Sequence, residues 1–346
     1  MEYTFSFAGV EDADEIMEFM RRHWREDHIL AKSRELLLYD FREGDGLNIG
    51  IAREPDGVLA GIFGYMKYNS RHFPDIAGSL WKVVENPKSP MLGLKLRNFV
   101  IDNVLHRFFA APGAGLQTKP IYRLIGMEWH RMQHYFFLNP EFEEYQIAKI
   151  PDGAKDSLIG VGITLCDITD VSVFDITSRK DLELFVREDK DIVPFKDEDY
   201  IVKHFLEYPF REYEVYGVSY DYPGNGGKYS TIFVIRKAEA EGRTVCRMVD
   251  FYGDEGNMSI VAAFLMDYIR WNKCEYVDFI AHGFSDEVMK EAGFNVLDFD
   301  SDEIIIPNYF EPFERRNVPV YCVSEKSDMK FRQCKADGDQ DRPNFV

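Results

Sequence analysis

The chain has 346 residues, 45% of them hydrophobic and 15% aromatic, with 41 Lys+Arg against 60 Asp+Glu and a formal charge of −19. This apolar content supports packed cores in two globular domains and excludes disorder and a Gly-X-Y triple helix. The negative charge argues against a nucleic-acid partner, whose binding runs on neutralised phosphates. Anionic small ligands remain open, provided that local cationic or amide-rich sites hold them. The longest apolar run, Ile260 to Met266, stops at Asp267, far short of the ~20 residues that span a bilayer, so no membrane partner is expected. The start, MEYTFSFAGVEDADE, lacks the basic and apolar regions of an export signal, which predicts a cytoplasmic protein. Cys166, Cys246, Cys274, Cys322 and Cys334 are odd in number and scattered, and read as free thiols in a reducing compartment rather than a metal site.

In chain order, residues 3–8 alternate as a strand. An acidic start at Glu11 and Asp12 leads into a helix with Ile16, Met17, Phe19 and Met20 at helical spacing. A short helix over 32–39 follows, then strands 47–53 and 58–68 joined by the turn Glu54-Pro55-Asp56-Gly57. Next come a strand over 80–85, a helix over 93–106 burying Leu94, Leu96, Phe99, Val100, Val104 and Leu105, a short helix over 119–124 and a strand over 132–138. The stretch 149–156 reads as a connection. A similar order then returns: helices near 180–186 and 197–207, strands at 213–220, 229–238 and 243–252, and a long helix over 258–272. It ends with a strand at 276–280, a helix at 286–292, strands near 303–306 and 318–323, and a polar tail.

The stretch Asn86-Pro-Lys-Ser-Pro-Met-Leu-Gly-Leu-Lys carries a strand through a loop straight into an amphipathic helix. Unpaired N–H groups and the positive end of the helix dipole meet there, a natural cradle for pyrophosphate, or else an ordinary helix start. Gly93 permits close backbone approach. About two dozen residues later comes Thr118-Lys-Pro-Ile-Tyr-Arg-Leu-Ile-Gly-Met, a short helix capped by Gly126. In order, the two stretches resemble the Gcn5-related N-acetyltransferase (GNAT) family. In that family an R/Q-x-x-G-x-G/A loop binds CoA pyrophosphate and an L-Y-E-K-L-G-F helix follows. Lys88 stands at the Arg/Gln place, Met91 at the first glycine and Gly93 at the second, while Tyr122, Gly126 and Met127 fall on the later Y, G and F. The missing first glycine departs from the pattern. The second half repeats the later motif up to Gly293-Phe294, with Met289 at the tyrosine place. There Asp254 and Glu255 precede the long helix, where two carboxylates would repel a diphosphate.

The resemblance implies an α/β (α+β) fold of two GNAT-like domains in tandem, each a mixed, mostly antiparallel sheet flanked by helices. Residues 1–150 would bind acyl-CoA, 151–171 connect, 172–325 bind a nucleotide sugar, and 326–346 fold over the cleft. Further pieces narrow it: Asp27-His-Ile-Leu-Ala, Leu80-Trp-Lys-Val, His134-Tyr-Phe-Phe-Leu-Asn, Val249-Asp-Phe-Tyr-Gly-Asp, Pro307-Asn-Tyr-Phe-Glu-Pro-Phe and Asp337-Gly-Asp-Gln-Asp-Arg-Pro-Asn. Together they resemble bacterial enzymes that N-acylate a dTDP-linked amino-dideoxy sugar for surface polysaccharide. The implied co-substrate is acyl-CoA, acetyl or 3-hydroxybutyryl, held by Lys88, Met91, Leu92, Gly93, Leu94 and Lys95, with no metal.

Amide formation needs a neutral amine, a stabilised oxyanion and a protonated leaving thiolate. His134 is a candidate base, or a packed histidine. Glu311, ringed by Tyr309, Phe310 and Phe313, is either half-desolvated or turned to water. Tyr122 matches the position of a general acid, or is core. His28 lies where this family contacts the acceptor, or is structural or solvated. Tyr309, Phe310 and Phe313 with Arg315 and Arg316 offer a flat face and forked cations for thymine and diphosphate, or form a solvated edge. Arg342 and Asn344 would reach the acceptor from the tail. Two other readings stand beside this one: a tandem enzyme using aminoacyl-tRNA, and a CoA-binding protein without turnover.

Overall fold

The computed structural model describes residues 3–160, 171–186, 191–219, 229–338 and 341–344. Cys166, the last residue of the expected strand 213–220 and positions 339–340 of the terminal motif lie outside the described residues. The chain divides into two compact units. One comprises residues 1–129, 323–326 and 338–346, and the other 130–322 and 327–337. The first boundary therefore falls at 129/130 rather than 150, and the tail is shared out rather than forming one segment.

In the first unit β1 (Thr4–Gly9) pairs with β2 (Gly46–Arg53), β2 with β3 (Leu59–Lys67) and β3 with β4 (Asp75–Val83), all antiparallel. β5 (Phe108–Pro112) adds in parallel, and the sheet order continues through Tyr321–Ser324 and Glu128–Arg131. β4 begins five residues before the expected strand. Its first residue, Asp75, is fully buried and held by Arg107 at 2.7 and 2.5 Å. α1 (Ala13–His23) buries Ala13, Ile16, Met17, Phe19 and Met20, as its 3.6-residue spacing requires. α2 (Ile29–Lys32) and α3 (Arg34–Phe41) follow, the second capped by Ser33 Oγ accepting from Leu36 N. α4 (Leu92–Asn103) packs Leu92, Leu96 and Val100 into the core with Phe63, Phe109 and Tyr122. It ends before Leu105, which is 62% exposed and not core. α5 (Lys119–Leu124) has a proline at its start and Gly126 at φ +81° beyond its end.

In the second unit β6 (Gln133–Leu138) lies between the short strand Asn295–Val296 and β11 (Cys274–His282), antiparallel to both. The sheet continues through β10 (Arg243–Gly253), β9 (Thr231–Ala240) and β8 (Glu214–Ser219) to β7 (Ser172–Asp175). β10 and β11 are its parallel pair. α6 (Met258–Trp271) covers one face and buries nine residues, among them Met258, Val261, Leu265 and Ile269. At roughly 1.5–3 kcal/mol for each large apolar side chain, this contact is a main source of the unit's stability. α7 (Asp286–Glu291) completes it. The expected strand at 303–306 reduces to a single bridge between Lys149 and Ile305. The expected helix 197–207 is α-helical over Glu198–Ile201 and widens to a π-turn over Val202–Leu206. No helix among the described residues is long and apolar enough to cross a membrane.

Candidate active site

The first unit opens between its parallel strands. β4 and β5 pair at Asp75↔Phe108, Ile76↔Phe109 and Ala77↔Ala110 and then diverge, while β4 runs on to Val83 beside β3. Just past the divergence Ser79 is extra: Gly64 faces Leu80 and Tyr65 faces Gly78. Such a bulge takes backbone groups off the ladder and re-aims them. A parallel opening with unpaired backbone on its lip can accept an extended amide-bearing ligand, and a bulge N–H can serve an oxyanion.

α4 starts at the same end of the sheet as Val83. Met91 provides no side-chain cap, so the first-turn amides at Gly93 and Leu94 are left to an outside acceptor. Lys88, Met91 and Lys95 are exposed there and Leu92 is core. Gly93 is buried beneath Trp81, whose Nε1–H donates to Gly93 O at 3.2 Å. A Cβ at Gly93 would meet that nitrogen at 3.2 Å. Trp81 also meets Tyr122 edge-on at 5.4 Å. Burial raises the Tyr122 phenol well above its ordinary pKa, against the pull of the Arg97 charge, so Tyr122 holds its proton at neutral pH.

On the lip of the opening Arg342 donates to Asp40 Oδ2 at 2.7 Å and to Ser79 Oγ at 3.4 Å. Asn344 follows, half-buried. His28 is pushed down to a pKa of about 4, chiefly by burial and then by the charges of Arg342 and Arg25. Its Nδ1 accepts from Leu30 N at 3.2 Å, so the neutral ring carries its proton on Nε2. His28 is thus a fixed donor, not a base. Asp40 and Ser79 were not picked out in the sequence, where neither stands in a recognisable motif.

The second unit has the same opening and fills it with its own chain. β10 and β11 pair as far as Met248↔Phe279. Beyond that, Cys334 and Gln333 pair with Ala281 and His282, and Ala336 N donates to Val249 O at 3.1 Å. Lys196 Nζ locks the insert, bonding Asp250 at 2.5 Å and Asp337 at 2.8 Å. The ligand atoms of Asp250, Cys334 and Asp337 lie within 4.8 Å of one another, a donor set for a cation, but the Lys196 ammonium already sits on both carboxylates. At the start of α6 Asp254 caps Gly256 N at 2.8 Å, and Glu255 pairs with Lys330 and Arg332.

His134 is the second residue of β6 and is packed inside. It is 1% exposed, with Nε2 3.0 Å from Asp278 Oδ2. Burial outweighs Asp278 and lowers its pKa, so the ring stays neutral. Asp278 is gripped by Arg247 at 2.9 and 2.7 Å, and Arg247 Nη1 donates to Asn308 O at 2.8 Å. A base needs contact with its substrate, and His134 instead belongs to this closed network. Glu311 sits at the turn between Tyr309–Phe310 and Phe313–Glu314, paired with Arg211 at 2.6 Å. Phe310 lies under Arg247 at 5.0 Å, and Tyr309 is 39% exposed. The two arginines expected to grip a diphosphate are engaged: Arg315 donates to Gln146 O, and Arg316 pairs with Glu314 at 2.6 Å.

No protein-family model matches the chain, and no curated protein matches it in sequence. Solved structures do match. A GCN5-related N-acetyltransferase from Anabaena variabilis has a TM-score of 0.56 at 8% identity, over 93% of this chain and 72% of that one. A conserved Enterococcus faecalis protein, described as a probable N-acyltransferase, has a TM-score of 0.53 at 11% identity, over 93% and 72%. A GCN5-related glucosamine N-acetyltransferase region of a fungal multi-domain β-N-acetylglucosaminidase has a TM-score of 0.50 at 9% identity, over 93% and 38%. At such identities the likeness speaks for the fold: mixed sheets flanked by helices, built in the manner of the GCN5-related N-acetyltransferases.

Proposed function

We propose that the protein is an acyl-CoA-dependent N-acyltransferase with one donor site, in the first unit. The observation that carries this is the contrast between the two parallel-strand openings. One has a bulge at Ser79, an uncapped α4 start and Tyr122 beside it, and the other is filled by Gln333–Asp337. CoA phosphates would meet the α4 amides with Lys88 and Lys95, and backbone N–H at the Ser79 bulge would stabilise the oxyanion. Tyr122 would give its proton to the leaving thiolate. His28 would donate through Nε2 to an acceptor oxygen beside Arg342.

The acceptor we propose is the amine of a dTDP-linked amino-dideoxy sugar, in line with the motif resemblance. The glucosamine-acetylating region among the structural neighbours supports a sugar amine as the acceptor class. The charge of −19 weighs against aminoacyl-tRNA.

The test is thiol release from acetyl-CoA or 3-hydroxybutyryl-CoA with a panel of dTDP-3-amino and dTDP-4-amino sugars and glucosamine, with product masses. A mass gain equal to the acyl group is expected with one of them. Silence across the panel, with CoA bound calorimetrically, would overturn the sugar acceptor, and no CoA binding would overturn the donor site.

Gly93→Leu gives a second prediction. The new side chain must displace Trp81 at a tightly packed contact, costing about 1–3 kcal/mol. CoA affinity should fall roughly 10-fold, read by calorimetry. An unchanged affinity would move the donor away from α4.

A further inference from the structure

The buried face of α4 carries a charge that packing does not call for. Arg97 is 7% exposed and shares that face with Leu92, Gly93, Leu96 and Val100. Its guanidinium lies 5.0 Å from the Phe109 ring centre. Nη1 donates to Asn98 Oδ1 at 3.2 Å, and Nη2 has only Met127 Sδ at 3.5 Å. Nε has no acceptor. A buried cation held this weakly is costly, and an apolar side chain would serve the core better.

Three ionisable groups act on Arg97: Tyr122 from α5, Glu325 from the returning segment and Asp102 from its own helix. Glu325 is committed elsewhere, accepting from Phe109 N at 3.0 Å and lying 3.9 Å from His106. Asp102 makes no ion pair with Arg97 among the described residues. Tyr122 is the remaining member. It is 4% exposed and edge-on to Trp81, which bonds the carbonyl of Gly93 one turn before Arg97 on α4. Met127, whose sulfur faces Arg97 Nη2, donates its backbone N–H to Tyr122 O at 3.0 Å, and the Arg97 charge favours the ionised phenol.

Resting on the acyl-transfer reading above, we propose that Arg97 is a positioning residue whose charge stabilises the Tyr122 phenolate formed as Tyr122 protonates the departing thiolate. The amine nitrogen attacks the thioester carbon, and the C–S bond then breaks with its electron pair on sulfur. Sulfur takes the phenolic proton and leaves as the free thiol. The phenolate, balanced by the guanidinium, regains a proton through solvent from the nitrogen, which sheds one in becoming an amide. A hydrophobic wall with no cation would leave the phenolate buried and uncompensated, and the acid would be too weak.

The test places 3,5-difluorotyrosine, whose phenol ionises in an accessible range, at position 122 of the full chain and follows its ¹⁹F resonance with pH. Arg97→Met and Arg97→Gln are expected to raise that titration by about one pH unit or more, and Arg97→Lys by less. With natural Tyr122, both charge-removing variants should lose roughly 10–100-fold in kcat with CoA affinity nearly unchanged, and Arg97→Lys should recover most of it. A titration unmoved in folded Arg97→Met and Arg97→Gln overturns the pairing, whatever turnover shows. A wild type that releases no thiol with any amine overturns the acyl-transfer reading and the acid role, while a shifted titration still establishes the charge pairing.

Discussion

Replacing Arg247 by leucine is expected to lower the stability of the second unit by about 3–5 kcal/mol at neutral pH, one of the two largest effects any single substitution here should have. Arg247 is 1% exposed and makes two bonds to Asp278, itself 1% exposed. Burial alone would raise the Asp278 pKa. The Arg247 charge, with bonds from His134 and Arg247, overcomes that and holds the carboxyl well below its usual range. A group depressed in the folded state contributes stability that is present above its unfolded pKa of about 3.9 and lost as pH falls below it. Without Arg247 the carboxylate is buried beside a neutral histidine and must take a proton or unfold the site. Denaturant midpoints of the wild type and of Arg247→Leu should therefore converge as pH falls toward 3. The double variant Arg247→Leu/Asp278→Leu should recover at least half the loss, because it removes the stranded charge. A single variant within 1 kcal/mol of wild type at pH 7 would mean that the network adds no net stability.

These buried charges were partly legible. Arg247 and Asp278 interrupt apolar strand runs, Val245-Cys246-Arg247-Met248 and Val277-Asp278-Phe279, and a lone charge in such a run must find a partner. Which partner it finds is set by strand register, here Arg247 opposite Asp278, and local pattern carries no register between strands 31 residues apart. Most of the expected helices and strands came through because period 3.6 or 2 is a local signal. β5 did not: Phe108-Phe109-Ala110-Ala111 is short, does not alternate and ends in proline. β6 was found, but its placement with the first domain rested on chain order. Its side chains satisfy the other sheet, with His134 opposite Ile280 and Phe136 opposite Asp278.

The candidate site shows the same division. The α4 loop, Gly93 and Tyr122 could be picked out because turn chemistry and helix starts are written locally. The Ser79 bulge, the Asp40–Arg342 pair and Arg97 could not, since each depends on elements far apart in sequence. Arg342 was drawn from the terminal motif and lies on the lip of the first-unit opening, bonded to Asp40 and Ser79. His134 was drawn from a strand pattern that fits a buried histidine equally well, and burial prevailed.

Lys196→Met should match the first effect in size and differ from it in pH dependence. Lys196 stands between Asp250 and Asp337, and all three side chains are buried. Burial lowers the lysine's hold on its proton, and the two carboxylates more than restore it, so Lys196 stays charged. One cation cannot fully compensate two anions. Asp337 is accordingly raised to about 6, first by burial and then by Asp250, against the pull of Lys196. A group raised in the folded state favours folding most below its unfolded pKa and loses that contribution as pH climbs through the folded value. The wild-type insert should therefore be firmest near pH 4 and loosen between pH 4 and 6. Methionine fills the space of lysine without its charge, leaving Asp250 and Asp337 to repel. The expected loss is about 3–5 kcal/mol at pH 7 and smaller by about 1 kcal/mol at pH 5, where one carboxyl of the variant is fully protonated and wild-type Asp337 largely so. Hydrogen exchange at Cys334 and Ala336, whose amides bond Asp337 Oδ2 and Val249 O, reads the insert directly. Adding Asp337→Asn should restore much of the stability at pH 7 and flatten the pH dependence. Equal losses at pH 5 and pH 7 would show instead that Lys196 acts through packing, and the insert would then be held by its strand pairing with β11 rather than by charge.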